Sequence, residues 1–265
     1  IGGLNPGDNI VFKVESVDDY HLFVDPFLAS AAAEKRPINY MRFGDHLPLL
    51  EENAAVEVHM LDPRIGFEFF TRSVYNIVKE KGVGAFYVFD CLSELVSAWA
   101  TDHMIGNFFE ATSPYLTELE TISYFTLMRD HHSFLTIERL RAATRIMIDS
   151  FSHSGGFFIQ PLKVNRRQTT TTTFLPHIKQ GNSFMPLLNS IDLTRLYHSL
   201  ARRTRHAVSR QVDHWHRIFT AAETLLDDES LGKDRRTLIL ELCQHMIARE
   251  GPMLRLAEQY FDLDD

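Results

Sequence analysis

The sequence has no glycine-rich loop followed by Lys-Ser or Lys-Thr, and that absence bears most on its chemistry. Backbone N–H groups curl around a phosphate only where glycines permit it, and the lysine neutralises its charge. No Ser-His-Asp order, zinc knuckle, HExxH or dinucleotide GxGxxG appears, which removes the commonest hydrolase and dehydrogenase readings. Only two cysteines occur in 265 residues, Cys91 and Cys243, far apart and without metal-ligand spacing. They fit a reducing cytoplasm, the expected location. No apolar run reaches the roughly 18 residues of a membrane span, and the opening residues do not read as a signal peptide. Positive charge is in deficit. A net charge of −8 offers no general attraction for nucleic acid or anionic membrane, and neither is expected as a partner. The chain opens on Ile1, as expected of a fragment or a processed form.

What is present is an ordinary globular composition, 45% hydrophobic and 23% charged, long enough for one α/β domain and an appendage. Strands are expected at 9–14, 38–43, 56–60, 85–90 and 122–127, alternating with helices at 18–34, 67–81, 92–100, within 102–118, and at 136–149. That alternation is the pattern of a largely parallel sheet covered on both faces. The continuous apolar run from Ala85 to Phe89 suits a central strand. Antiparallel strands are expected at 156–164, 170–179 and 183–187, with β-branched Thr169–Thr173 opening the second. From Asp192 to Phe261 the pattern becomes a helical hairpin. Leu193, Leu196, Leu200, Trp215 and Leu225 lie on one apolar seam of its long first helix. The expected organisation is an α/β domain over 1–190 and a helical hairpin over 191–265. The seam should dock on that domain, receive a downstream domain or pair with a second copy as a homodimer or higher homo-oligomer.

The first strand runs into Glu15-Ser16-Val17-Asp18-Asp19-Tyr20. Ser16-x-x-Asp19 reads as a capping box, satisfying the following helix from its own side chains. A carboxylate about 5 Å from a phosphate charge, at an effective dielectric near 20, costs about 3 kcal/mol per pair. Asp18 and Asp19 would both oppose a triphosphate here.

Several segments together resemble the RecA/KaiC-like ATPase fold. The Gly2-Gly3-Leu4-Asn5-Pro6-Gly7-Asp8 opening matches the turn before its first strand, and Phe86-Tyr-Val-Phe-Asp90-Cys-Leu-Ser-Glu94 looks like its Walker B strand. Residues 136–148 resemble its helix before the late strands. Phe158-Ile-Gln-Pro-Leu-Lys163-Val-Asn-Arg166 resembles a late strand ending in Lys-x-x-Arg. The resemblance covers roughly residues 1–187 and implies a mostly parallel sheet with helices on both faces, with a degenerate phosphate loop. By the same resemblance, Asp90 and Glu94 correspond to magnesium and water-activating acids. Lys163 and Arg166 correspond to residues reaching a neighbouring subunit's nucleotide.

A closer resemblance is to the N-terminal region of bacterial phosphoenolpyruvate-synthase-like proteins. It is carried by Gly7-Asp-Asn-Ile-Val, Val14-Glu-Ser-Val-Asp-Asp-Tyr, Phe23-Val-Asp-Pro-Phe, Tyr40-Met-Arg-Phe-Gly-Asp-His-Leu-Pro-Leu-Leu, Ala85–Leu92, Met104-Ile-Gly-Asn-Phe-Phe and Arg129-Asp-His-His-Ser-Phe. It implies a P-loop-less domain preceding an ATP-grasp domain. ATP and magnesium are then expected only in that downstream partner, and this chain is a non-catalytic regulatory or assembly module of a kinase-type phosphotransferase. The alternative is a KaiC-like ATPase or ligand-binding domain using Asp90.

In a parallel sheet, functional residues gather beyond the strands' carboxyl ends. Glu15, Arg42, His46, Asp90, Glu94, Arg129, His131 and His132 are the candidates for a ligand pocket there. A carboxylate–histidine metal site is a second reading of the same residues. In the purely structural reading, Asp90 and Arg129 pair, Glu15 caps a turn, and the histidines satisfy backbone groups. Lys163 and Arg166 are the inter-subunit candidates, against a solvated strand end.

Overall fold

The structure, a computed structural model, describes residues 3–99, 101–200 and parts of 220–240. The chain divides into two compact units, Ile1–Leu188 and Asn189–Asp265.

The first unit is built on a nine-stranded sheet. Its strands are β1 (Asn9–Val14), β2 (Ile38–Arg42), β3 (Val56–Met60), β4 (Phe86–Cys91), β5 (Ile122–Met128), β6 (Ile146–His153), β7 (Gly156–Val164), β8 (His177–Gln180) and β9 (Ser183–Pro186). They lie in the order β3-β2-β4-β5-β1-β6-β7-β8-β9. The pairings from β3 through β6 are parallel, and those from β6 to β9 are antiparallel. The helices are α1 (His21–Ala33), α2 (Phe67–Lys81), α3 (Leu95–Trp99), α4 (His103–Glu118) and α5 (Phe134–Ala143).

Side chains alternate across the sheet with the period of two that a strand imposes. Val11, Met41, Phe89, Phe125 and Met147 face one core with Phe70 and Val74 of α2, Trp99 of α3, Phe108 of α4 and Leu140 of α5. Ile10, Phe12, Tyr40, Val88 and Ile148 face the other core, where Val24, Phe27 and Ala31 of α1 cover them. β4 is buried at every position, as a central strand covered on both faces must be. Gly7, in the turn before β1, holds φ at +80°, and a Cβ there would lie 2.7 Å from Arg145 Nη1 and 3.0 Å from the Thr117 carbonyl. Only glycine meets both demands.

Three expectations need correction. The helix expected over 136–149 ends at Ala143, and Ile146–His153 is β6, paired in parallel with β1. Thr144 and Arg145 break the helix because Thr144 Oγ1 and the Arg145 N–H bond back to Asn9. Ile146 and Ile148 then point together into the second core. The threonine run is not a strand: Thr171–Phe174 is a short 3-10 turn, and β8 starts at His177. A 3-10 turn, Val17–Tyr20, also precedes α1, so the α-helix starts later than expected.

In the second unit, residues 190–200 are helical. The seam through Trp215 and the hairpin's final segment lie outside the described residues. No helix among the described residues is long and apolar enough to cross a membrane.

Candidate functional site

Asp90 is the penultimate residue of β4 and is fully buried. Its Oδ2 accepts from Arg42 Nη1 at 2.7 Å, the Phe43 N–H at 2.8 Å and the Gly44 N–H at 2.7 Å. The Tyr40 hydroxyl donates to Oδ1 and accepts the Leu49 N–H at 3.1 Å. Arg42 also donates to the His46 carbonyl, and His46 Nε2 stands 3.6 Å from Oδ1. Burial alone would lower the Arg42 guanidinium, but the hydrogen bond and charge of Asp90 outweigh it and hold the pKa above its ordinary value. Burial and the Asp90 charge together push the Tyr40 phenol well up. Asp90 thus ties the loop after β2 to β4, with both oxygens turned into its own protein. The crossing at Gly44 is close, since a Cβ would come within 2.8 Å of the His46 ring and 3.2 Å of Glu94 Cγ and would displace those side chains. Glu94 therefore stands at the same corner.

At the next strand ends the ionic partners differ from those expected. Arg129 pairs with Asp149 of β6, not with Asp90, and donates to the Ser150 carbonyl at 2.9 Å. A basic residue at the end of β5 finds the acid nearest across β1. Lys13 of β1 stands 3.9 Å from that same Asp149. Glu15 accepts the Ser152 N–H at 3.0 Å. Ser16 and Asp19 form the reciprocal capping box read from their spacing. His131 Nδ1 lies 2.7 Å from the Arg129 carbonyl, and His132 Nε2 lies 2.6 Å from Ser93 Oγ. The structure therefore brings Arg42, His46, Asp90 and Glu94 to one corner. Arg129 and Glu15 lean on β6 instead, and His132 joins Ser93 between them. Among the described residues, no three His, Cys, Asp or Glu side chains converge into a group that could hold a metal ion.

Lys163 Nζ donates to the Arg141 and Ala142 carbonyls and so closes the C-terminal end of α5. Burial, with Arg141 nearby, lowers its pKa. Arg166 is exposed at φ +59°. Sequence reasoning missed Tyr40, Ser93 and Asp149, and also the pair of buried Arg167 with Asp8. Of these, Asp8 lay inside the Gly-Gly-Leu turn already singled out. Ser93 and Tyr40 also lay inside segments already quoted, without a role, and Asp149 carries no motif and is found only by strand register.

A cleft of about 700 Å³ opens elsewhere, on the face of β1 and β6 between α1 and the β8–β9 turn. Ile10, Phe12, Ile148, Pro26 and Phe184 line it, with Lys179 at its rim. None of the strand-end candidates borders it.

No protein-family model matches the chain. No curated protein matches it either. Among solved structures it is similar to a KaiC-like protein of the hyperthermophilic archaeon Pyrococcus horikoshii. The TM-score is 0.50 at 14% identity, over 70% of this chain and 92% of that one. With the parallel β3-to-β6 sheet and helices on both faces, that likeness makes the fold of this chain a KaiC/RecA-like α/β fold.

Proposed function

We propose that the chain is a KaiC-like module that has kept the fold and given up nucleotide hydrolysis, acting as a binding or assembly unit. The observation that supports this most is Asp90. At the end of the Walker B-like strand an acid must keep a lone pair for a metal-bound water. Asp90 instead accepts Arg42, Tyr40 and two backbone N–H groups and is fully buried. The turn after β1 supports the same reading, because its capping box supplies acids where a phosphate needs amides and a lysine.

Calorimetry with Mg-ATP should show no saturable heat at sub-millimolar concentration, and no phosphate release should follow. Micromolar binding, or turnover that Asp90→Asn removes, would overturn the proposal. The fold likeness favours the second reading, an ATPase-type or ligand-binding domain working through Asp90 and the strand-end charges. For that reading Asp90 must first be released from Arg42.

The finer assignment is a regulatory or assembly module of a phosphoenolpyruvate-synthase-like phosphotransferase, next to an ATP-grasp domain and self-associating. It rests on the sequence segments alone.

A further inference from the structure

One contact outside the Asp90 corner sets a hydroxyl against a base. Ser93, in the 3-10 turn after β4, holds Oγ 2.6 Å from His132 Nε2. The Met128 N–H donates to the same Oγ at 2.8 Å, and in the tautomer that makes Ser93 a donor its hydroxyl proton is directed at Nε2. His132 Nδ1 is then the protonated ring nitrogen, buried and without a hydrogen-bond partner among the described residues. Burial pushes the imidazole down to about 4, with His131 acting in the same direction and Asp102, just ahead of α4, acting against it. The ring is therefore neutral at neutral pH with its lone pair on Ser93. Both residues keep part of their surface in solvent.

We propose that Ser93 is a nucleophile with His132 as its general base, and that its substrate is a neutral ester or similarly activated acyl compound. Charge selects that class. Glu94 and Asp102 stand nearby, while Arg42 and Arg129 are committed to Asp90 and Asp149, so a phosphorylated substrate would meet acids. Ser93 Oγ bonds to the carbonyl carbon as its proton passes to His132 Nε2. The bond to the leaving alcohol then breaks, and the alcohol departs with that proton. Water attacks the acyl-Ser93 carbonyl, giving one proton to His132, which returns it to Oγ. The balance is ester plus water to acid plus alcohol.

The test uses p-nitrophenyl acetate, with release of p-nitrophenolate followed by absorbance and the acetyl group mapped by peptide mass spectrometry. An acetyl group on Ser93 is expected, absent in Ser93→Ala, with His132→Gln slower by at least about 100-fold. The base is the deprotonated ring, so the acylation rate should rise as pH climbs through about 4 and stay level through neutrality. Acetylation only at other residues, or a Ser93→Ala rate equal to wild type, would overturn the proposal. Mapping uses the unmodified protein, so it remains decisive even if a variant fails to fold.

Discussion

Asp90 sits where this fold places an acid, yet it accepts a guanidinium, a phenol and two backbone N–H groups from β2 and the loop after it. Replacing it with asparagine leaves the Arg42 charge, only 11% exposed, without its partner. Breaking a buried pair from one side costs about 3–5 kcal/mol, so Asp90→Asn should lower the urea midpoint by a corresponding amount. An acid kept for metal binding behaves oppositely, because its removal relieves repulsion and leaves stability equal or higher. The identity of this residue was legible, since an apolar run closed by aspartate marks a strand end. Its partner was not. Arg42 and Arg129 both stand at the ends of strands that flank β4, so neither spacing nor strand order separates them, and only the contacts show Arg42 on Asp90 and Arg129 on Asp149 across β1. The contact of Ser93 with His132 was hidden for the same reason.

At the scale of elements, patterning carried β1, α2, β3 and β7, whose observed limits coincide with the expected ones. Each has a strong local signal. α2 keeps Phe70, Val74 and Val78 on one stripe and stops at Gly82, and β7 follows a Ser-Gly-Gly turn. α5 and β6 failed together, because a helical pattern and a β-branched one abut at Thr144 with no glycine or proline between them. What separates them is long-range, the capture of Thr144 and Arg145 by Asn9. The start of α5 has a local signal, Ser133 Oγ accepting the Thr136 N–H, to which Asp102 adds a long-range bond by accepting the Ser133 N–H at 2.6 Å. Ser133→Ala should destabilise the domain by about 1 kcal/mol in thermal or urea unfolding. Asp102 is held below the usual carboxylate range by the Ser133 bonds, against its burial. Its contribution to stability is therefore present above the unfolded carboxylate pKa and fades as pH falls through the lower folded value.

Across the whole first unit the sheet is unevenly clothed, with α2 to α5 serving one core and α1 the other. The order of strands matters more than their covering. β1 is central, with β5 on one side and β6 on the other. A chain ending after residue 144 holds five strands and every helix of this unit, yet leaves β1 with an open edge carrying Ile10 and Phe12. Such a piece should aggregate in light scattering and yield quickly to protease, whereas residues 1–188 should be soluble and unfold cooperatively. The same placement has a consequence for how the protein is made. Ile10 leaves the ribosome well before its partners, Tyr124 and Ile146. At about 5–20 residues per second, the first strand of the sheet waits on the order of ten seconds for both neighbours. During that interval its apolar residues are exposed to every other nascent chain. Biogenesis of this protein should therefore depend on a holding chaperone far more than its finished stability would suggest.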